Sequence, residues 1–175
     1  MQIVLAGYMG SGKSRTGKVL AKKLKYHFTD LDHFIAQQEA MPVTELFRTK
    51  GELYFRKKER LYLEALLNTN ENTVIALGGG TPCYGDNMEF ILRYTSKVFY
   101  LKAKVETLLQ RLKKGQHSRP LIKDIKAVDL PDFIRKHLFE RSYFYLKAPY
   151  TIAVDGLQPK AVAAAILEKI REMEE

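Results

Sequence analysis

Short apolar runs alternate with longer amphipathic stretches along the 175 residues of this chain. Runs of this kind predict strands, and apolar residues at helical spacing predict helices. Strands are expected at 2–6, 26–30, 73–77, 97–101 and 150–154, and helices near 13–24, 31–39, 43–49, 51–68, 86–95, 104–114, 129–147 and 158–173. Strands that alternate with helices are typical of a parallel sheet covered on both faces. We therefore predict an α/β fold with a five-stranded, doubly wound parallel sheet.

The residue composition narrows the class of protein. With 46% hydrophobic residues the chain can bury a sizeable core, and its one cysteine, Cys83, excludes an intramolecular disulfide framework. No apolar run approaches the roughly 18 residues of a membrane span, and no signal-peptide pattern precedes the first strand. We find no repeat, linker or low-complexity tract. The sequence thus predicts one cytoplasmic domain over residues 1–175, and we expect a monomer with no membrane partner.

The first predicted strand leads into Gly7-Tyr8-Met9-Gly10-Ser11-Gly12-Lys13-Ser14, the pattern G-x-x-x-x-G-K-S between a strand and a helix. Glycines in such a loop let backbone N–H groups turn inward around a phosphate. Lys13 is expected to reach the terminal phosphates, and Ser14 to offer its hydroxyl to Mg²⁺. The N-terminus of the following helix also favours an anion. The motif predicts a nucleotide-binding protein without specifying its reaction.

The net charge of +9 comes from 29 Lys and Arg against 20 Asp and Glu. Such a charge fits either a nucleic-acid surface or a field that attracts small anionic substrates. The basic residues are dispersed over many segments, and no nucleic-acid-binding motif accompanies them. We therefore favour anionic substrates and expect no nucleic-acid partner.

Two candidate segments follow predicted strands, where ligands bind in doubly wound sheets. Asp30 and Asp32 follow the second strand, and a carboxylate there can orient an acceptor hydroxyl and take its proton. The alternative is that Asp32 only caps a helix that starts at His33. The triplet Gly78-Gly79-Gly80 follows the third strand and indicates close approach of a ligand or backbone, with a tight turn as the alternative.

Two arginine-containing segments lie in other parts of the chain. Arg56 and Glu59 are three residues apart in a helical stretch and can pair, although most such pairs are surface ion pairs. Arg119 lies in a polar stretch that begins at Gly115, between two predicted helices. That stretch is either a mobile loop that closes over a nucleotide, or a place where the arginine meets only solvent or a carboxylate.

The order and spacing of these motifs resemble the shikimate kinase family over essentially the whole chain. The matching elements are the phosphate loop with Gly17, Asp30-x-Asp32, Phe55-Arg56-x-x-Glu59, Gly78-Gly79-Gly80, Arg119-Pro120-Leu121, and Arg141 with Tyr145. The resemblance implies a single-domain P-loop kinase with a nucleoside monophosphate kinase-like fold. Its reaction would transfer the γ-phosphate of ATP to the 3-hydroxyl of shikimate, a step in making aromatic amino acids.

The same resemblance implies how the chain is divided and what its residues do. The core would comprise 1–30, 73–110 and 148–175, with substrate-binding helices at 31–68 and a mobile lid at about 113–124. On the shikimate side, Asp32 would orient the hydroxyl and act as base, Arg56 and Arg141 would hold the carboxylate, Glu59 would steady Arg56, and the Gly78, Gly79 and Gly80 backbone would contact the substrate.

The implied nucleotide site uses the phosphate loop and three more distant positions. Its residues are Gly10, Ser11, Gly12, Lys13, Ser14, Arg15, Arg111, Arg119 and Pro159. Lys13 and Arg119 would stabilise the γ-phosphate, and Arg111 and Pro159 would enclose the adenine. Mg²⁺ would be the cofactor, held by Ser14 directly and by Asp30 through water.

The chain also departs from the family pattern. Arg15 stands where the family usually has Thr, which bears on contacts to the α-phosphate. After Arg141 the family usually continues with Pro, Leu and Tyr and then Glu and Ala, whereas this chain has Tyr143, Phe144, Tyr145, Lys147 and Pro149. A gluconate-type sugar kinase, a nucleoside monophosphate kinase and a P-loop regulatory or nucleic-acid-binding protein are the competing classes. A GTPase is disfavoured because the sequence lacks an Asn-Lys-x-Asp motif.

Overall fold

Five parallel strands form one sheet in a computed structural model that describes residues 1–116 and 121–174. The strands are β1 (Gln2–Ala6), β2 (His27–Asp30), β3 (Thr73–Ala76), β4 (Val98–Lys102) and β5 (Tyr150–Ala153). Their order across the sheet is β2-β3-β1-β4-β5. The sequence-based prediction of a five-stranded parallel sheet is therefore confirmed, and each predicted strand end lies within a residue of the observed one.

The helices of the described residues alternate with these strands. They are α1 (Lys13–Leu24), α2 (Leu31–Gln38), α3 (Val43–Leu67), α4 (Asn87–Tyr94), α5 (Val105–Lys113), α6 (Leu130–Tyr145) and α7 (Pro159–Glu172), with a short 3₁₀ turn at Thr81–Cys83. Two predicted helices, 43–49 and 51–68, form the single element α3, which is interrupted at Gly51 by non-helical angles of φ 80° and ψ 168°. The 3₁₀ turn was not predicted.

Burial follows the position of each strand in the sheet. All four residues of the inner strand β3 are buried, as are Ile3 to Ala6 of β1, because helices cover both faces. The edge strands β2 and β5 are partly exposed. Helices α1 and α7 pack against each other, as do α2 and α3, and α5 and α6.

Parallel pairing brings the carboxyl ends of neighbouring strands to one edge of the sheet. Leu5 of β1 and Asp30 of β2 are both in register with Ala76 of β3. The segments that follow these three strands are the phosphate loop, the start of α2 and the glycine triplet. They therefore meet although they are far apart in the sequence.

No helix in the ranges 1–116 and 121–174 is both long and apolar enough to cross a membrane. The predicted lid at about 113–124 is only partly described. Arg119 and Pro120 lie outside the described residues, so their predicted roles stay predictions.

Candidate active site

A cavity of about 620 Å³ opens at the carboxyl edge of the sheet. Its lining includes every described residue predicted for the nucleotide, namely Gly10, Ser11, Gly12, Lys13, Ser14, Arg15, Arg111 and Pro159. Asp30, Asp32, Gly78 and Gly79 line the same cavity. Gln110, Lys114, Leu157 and Val162 also line the cavity, and no motif in the sequence had marked them.

The phosphate loop is held by its own lysine. Nζ of Lys13 donates to the carbonyl oxygens of Gly7 at 2.8 Å and Tyr8 at 3.1 Å, and the residue is only 8% exposed. Gly10 and Gly12 have φ of 81° and 102°, values that favour glycine. The loop therefore has the backbone that the motif requires, with a buried ammonium group beside it.

The loop and the start of α2 meet through a serine and a carboxylate. Oγ of Ser14 donates to Oδ2 of Asp30 at 2.5 Å. Oδ1 of Asp30 accepts from the backbone N–H of His33 at 3.4 Å and so caps α2, which begins at Leu31. The alternative interpretation, in which Asp32 caps this helix, is therefore wrong.

Asp32 lies half-buried in the first turn of α2, facing the cavity. Burial is the largest cause that raises the pKa of Asp32, and the neighbouring carboxylates of Asp30 and Glu59 act in the same direction. Against the opposing charges of Lys13 and Arg56, the net result is a rise in this pKa from the usual 3.8 to about 6. A carboxylate that titrates near neutrality is a suitable proton acceptor. The tertiary surroundings thus favour the functional interpretation of Asp32.

Three side chains from three helices crowd the glycine triplet. A Cβ on Gly78 would lie 2.7 Å from Oδ1 of Asp32 (α2), and one on Gly80 would lie 2.7 Å from Nη2 of Arg56 (α3). A Cβ on Gly79 would lie 3.7 Å from Nη1 of Arg141 (α6). Larger residues at 78 and 80 would displace these groups. The triplet is therefore a place of close approach, as one of the two interpretations of the sequence expected.

Arg56 and Glu59 form an ion pair that is buried rather than at the surface. Nη1 of Arg56 donates to Oε2 of Glu59 at 2.8 Å, and Glu59 is 1% exposed. Nε of Arg56 also faces Oε1 of Glu52 at 3.4 Å, and the rings of Phe55 and Tyr84 lie within 6 Å of its guanidinium carbon. The orientation of this guanidinium is consequently well defined.

Arg111 is tied to the phosphate loop. Its Nη1 donates to the carbonyl oxygens of Gly10 and Ser11, both at 3.1 Å, and its Nη2 to that of Val154 at 3.3 Å. Pro159 begins α7 and lines the same cavity. The two residues thus share one cavity, and their contact with adenine stays a prediction.

Four of the predicted shikimate residues lie outside the lining of the main cavity. They are Gly80, the last residue of the triplet, Arg56 and Arg141, whose side chains approach Gly80 and Gly79, and Glu59, which is paired with Arg56. Tyr145 lies in the same region, where its hydroxyl donates to the carbonyl oxygen of Gly79 at 2.6 Å. The two predicted sets of residues therefore adjoin at Gly78 and Gly79.

Sequence reasoning missed a link between the phosphate loop and α6. Oη of Tyr8 and Nδ1 of His137 share a hydrogen bond of 2.8 Å, and Tyr8 is 1% exposed. Burial raises the pKa of Tyr8 to about 12, while burial and the charge of Arg141 lower the pKa of His137 to about 4. Both groups are thus neutral at pH 7. No sequence signal could have paired them, because 129 residues separate them.

A strand, a phosphate loop and a helix at the edge of a parallel sheet, with a carboxylate and two arginines beside the adjoining glycine triplet, define a P-loop kinase with the nucleoside monophosphate kinase-like fold. A model of the shikimate kinase family matches residues 9–171. The chain belongs to the shikimate kinase family.

Individual relatives agree with the family match. The chain is 42% identical over 158 residues to a shikimate kinase of Flavobacterium psychrophilum, which covers 90% of this chain and 92% of that protein. The crystal structure of shikimate kinase from Bacteroides thetaiotaomicron is similar with a TM-score of 0.88 at 37% identity, over 99% of this chain and 97% of that chain. Shikimate kinase from Acinetobacter baumannii in complex with shikimate gives a TM-score of 0.90 at 32% identity, over 98% and 93% of the two chains.

These findings decide between the competing classes. The sugar kinase, the nucleoside monophosphate kinase and the regulatory P-loop protein are set aside, and the expectation drawn from the motifs is confirmed. The activity is the ATP-dependent phosphorylation of the 3-hydroxyl of shikimate, a step of aromatic amino-acid biosynthesis.

Proposed function

We propose that the reaction takes place between two adjoining half-sites that share the glycine triplet. ATP occupies the cavity beside the phosphate loop, and shikimate lies against the triplet. The observation that carries this proposal is the approach of Asp32, Arg56 and Arg141 to Gly78, Gly79 and Gly80, one helix supplying each side chain. Since Gly78 and Gly79 also line the cavity, acceptor and phosphate donor would be neighbours.

Asp32 is proposed to orient the 3-hydroxyl of shikimate and to accept its proton. Its place in the cavity lining puts it at the boundary between the two half-sites. Its pKa of about 6 means that it is mostly ionised at pH 7, yet basic enough to accept a proton as the oxygen attacks phosphorus. The carboxylate therefore combines positioning with general base catalysis.

Arg56 and Arg141 are proposed to hold the shikimate carboxylate. Guanidinium groups bind carboxylates bidentately, which fixes a small ring in one orientation. Nη2 of Arg56 has no hydrogen-bond acceptor among the described residues and lies over Gly80. This edge of the guanidinium is the one that we assign to the substrate, while Glu59 holds the other edge.

The phosphate side is proposed to work through the loop backbone, Lys13 and Arg119. Lys13 and the loop N–H groups would neutralise charge on the β- and γ-phosphates, where electrostatic stabilisation dominates catalysis. Arg119 would add a second positive charge from the lid. Arg15, in place of the usual Thr, lines the same cavity and would lie near the α-phosphate.

Mg²⁺ is proposed to bind at Ser14, with Asp30 acting through water. No group of three or more His, Cys, Asp or Glu side chains suited to a metal ion occurs within the part of the chain that the structure describes. Mg²⁺ in kinase sites needs no such group, because it is bound by one or two protein oxygens, phosphates and water. The adjacent oxygens of Ser14 and Asp30 fit this pattern. Bound with ATP, the ion would neutralise phosphate charge.

The division of the chain belongs to the same proposal. The core comprises 1–30, 73–110 and 148–175, the substrate-binding helices lie within 31–68, and the lid is at about 113–124. Packing of α2 on α3 supports the second unit, since these helices carry Asp32 and Arg56. We also propose a monomer in the cytoplasm, to be tested by sedimentation and cell fractionation.

Release of ADP in a coupled assay tests the acceptor and its carboxylate site together. Shikimate should stimulate ATP turnover, whereas gluconate and nucleoside monophosphates should not. Arg56→Lys should raise the shikimate KM by about tenfold or more with little change in ATP KM, because an ammonium group cannot reproduce the guanidinium fork.

Arg48→Lys is a matched control on the same helix. Arg48 also pairs with a glutamate three residues away, Glu45, but its side chain is 72% exposed. This control should keep the parental KM for both substrates. The assignment of Arg56 to the shikimate carboxylate would be contradicted if Arg56→Lys left the shikimate KM unchanged. It would also be contradicted if the KM values for shikimate and ATP rose equally.

A further inference from the structure

Buried hydrogen bonds connect the turn after the glycine triplet to Arg56. Thr81 is fully buried in the 3₁₀ turn, and its Oγ1 donates to Oε1 of Glu59 at 2.6 Å. The other oxygen of that carboxylate, Oε2, accepts from Nη1 of Arg56 at 2.8 Å. Both oxygens of Glu59 therefore have a fixed donor, in a residue that is 1% exposed.

The backbone of Thr81 is anchored as well. Its carbonyl oxygen accepts from Nδ2 of Asn87 at 2.9 Å, and Oδ1 of Asn87 accepts from Nη1 of Arg60 at 2.9 Å. Asn87 is 2% exposed at the start of α4. The hydroxyl of Thr81 thus projects from a rigid turn towards Glu59.

The energetics of this arrangement favour a single orientation of Glu59. A buried carboxylate oxygen that loses its hydrogen-bond donor is left without the stabilisation that water would give it, so the side chain would rotate or admit water. The orientation of Arg56 depends on that of Glu59, because the hydrogen bond between them is the shorter of the two hydrogen bonds that Arg56 makes. The hydroxyl of Thr81 consequently acts on the guanidinium of Arg56 through two hydrogen bonds, with the Glu59 carboxylate between them.

The turn lies close to the proposed reaction centre. The point where a Cβ on Gly78 would stand is 2.7 Å from Oδ1 of Asp32 and 2.9 Å from Oγ1 of Thr81. Thr81 and the proposed base Asp32 therefore both lie next to Gly78, although Thr81 does not line the cavity itself.

We propose that Thr81 is a positioning residue for substrate recognition. Acting through Glu59, it holds the Arg56 guanidinium in the orientation that receives the carboxylate of the acceptor. This inference rests on the proposed function, in which Arg56 binds the shikimate carboxylate. Thr81, in the turn after the triplet, thereby has a role in the site although it belongs to neither the glycine triplet nor the Arg56–Glu59 motif.

Thr81→Val keeps the shape of the side chain and removes its hydroxyl donor. We expect the shikimate KM to rise about tenfold, with kcat and the ATP KM changed much less, because the lost bond is to a buried charged group. Thr81→Ser should restore most of the affinity. Thermal unfolding of each variant, measured alongside, shows whether the fold is retained.

Thr95→Val is the matched control. Oγ1 of Thr95 donates to the carbonyl oxygen of Gln2 at 2.8 Å, after α4 and away from the triplet, so this variant loses a hydroxyl with no link to Arg56. Its shikimate KM should equal that of the parent. If Thr81→Val and Thr95→Val have the same kinetics, or if Thr81→Val raises both KM values equally, the inference is overturned.

A double-mutant cycle separates action through Glu59 from a merely structural effect. In a Glu59→Ala background Thr81→Val should add little to the shikimate KM, whereas additive effects would overturn the inference. Arg56→Lys distinguishes the two levels of proposal. If it raises the shikimate KM and Thr81→Val does not, only the role of Thr81 fails, and if neither does, the proposed carboxylate site fails as well.

Discussion

At the scale of single residues, the surroundings of Asp32 set its chemistry more than its type does. An exposed aspartate would be ionised well above pH 4, but burial and two neighbouring carboxylates raise the pKa of Asp32 to about 6. The same carboxylate is therefore costly to ionise in the folded state and useful as a base. Activity and stability should consequently depend on this group in opposite directions.

The pH profile of the enzyme tests how activity depends on the ionisation of Asp32. Because the base must be ionised, kcat/KM for shikimate should rise with pH through about 6 and then level off. Asp32→Asn should lower kcat by on the order of 10²-fold or more, since an amide cannot accept the proton. Asp132→Asn, an exposed aspartate in the first turn of α6, is the control and should keep the parental profile.

Unfolding by urea tests how stability depends on the ionisation of Asp32. The folded pKa of about 6 exceeds the usual 3.8, so the contribution of Asp32 to stability is present below pH 4 and is lost as pH rises through 6. Asp32→Asn should therefore stabilise the protein by about 1–2 kcal/mol at pH 7.5 and by much less at pH 4. If Asp32→Asn is less stable than the parent at pH 7.5, ionised Asp32 does not destabilise the folded state.

At the scale of elements, α3 owes its shape to a glycine and its place to a glutamate. Gly51 interrupts the helix with φ 80° and ψ 168°, a region that residues other than glycine rarely adopt. Beyond this kink, the hydroxyls of Tyr54 and Tyr62 donate to Glu39 at 2.6 and 2.7 Å, just after the end of α2. These two hydrogen bonds, the largest causes, lower the pKa of Glu39 to about 2. The helix that carries Arg56 is thus held against the helix that carries Asp32.

The kink predicts a pure backbone effect on stability. A Cβ on Gly51 would meet no atom within 4 Å, so Gly51→Ala introduces no clash. It should nevertheless destabilise the protein by about 1–3 kcal/mol in urea unfolding, because alanine is strained at these angles. Lys57→Ala, at an exposed position of the same helix, should change stability by less than about 0.5 kcal/mol. Equal stabilities of the two variants would mean that α3 tolerates a straighter path.

At the scale of the whole molecule, a net charge of +9 surrounds a site for two anionic substrates. A field of this sign raises the local concentration of anions and weakens as salt shortens the Debye length, from about 30 Å at 0.01 M to about 8 Å at 0.15 M. The charge therefore bears on association with substrates rather than on the fold.

Kinetics at increasing NaCl test this effect. The KM values for shikimate and ATP should both rise by several-fold between about 10 and 300 mM salt, with a much smaller change in kcat. Lys22 and Lys23 are exposed at the end of α1, and changing both to Glu lowers the net charge from +9 by 4 to +5. That variant should show a weaker salt dependence without losing kcat. A salt dependence confined to kcat would exclude electrostatic attraction as its cause.

Patterns of neighbouring residues were sufficient to predict several features of the fold and of the site. Apolar runs located the strands, and the phosphate loop followed from eight consecutive residues, since backbone geometry there depends on residue type alone. The spacing of Arg56 and Glu59 allowed an ion pair, which the structure contains. The predicted boundary between the helices 43–49 and 51–68 lies next to Gly51, where the structure has a kink. In each case the interacting atoms are near neighbours in the chain.

By itself, then, the sequence determined the order of strands and helices, the phosphate loop and, through motif order, the shikimate kinase family. Only the tertiary structure decided that Glu59 is buried, that Asp32 titrates near pH 6, and that Thr81 and Tyr8 contact partners 22 and 129 residues away. The physical reason is that burial, dielectric surroundings and long-range hydrogen bonds depend on how helices pack around the sheet. Periodicity along the chain records which face of a helix is apolar, but not which side chain lies opposite it.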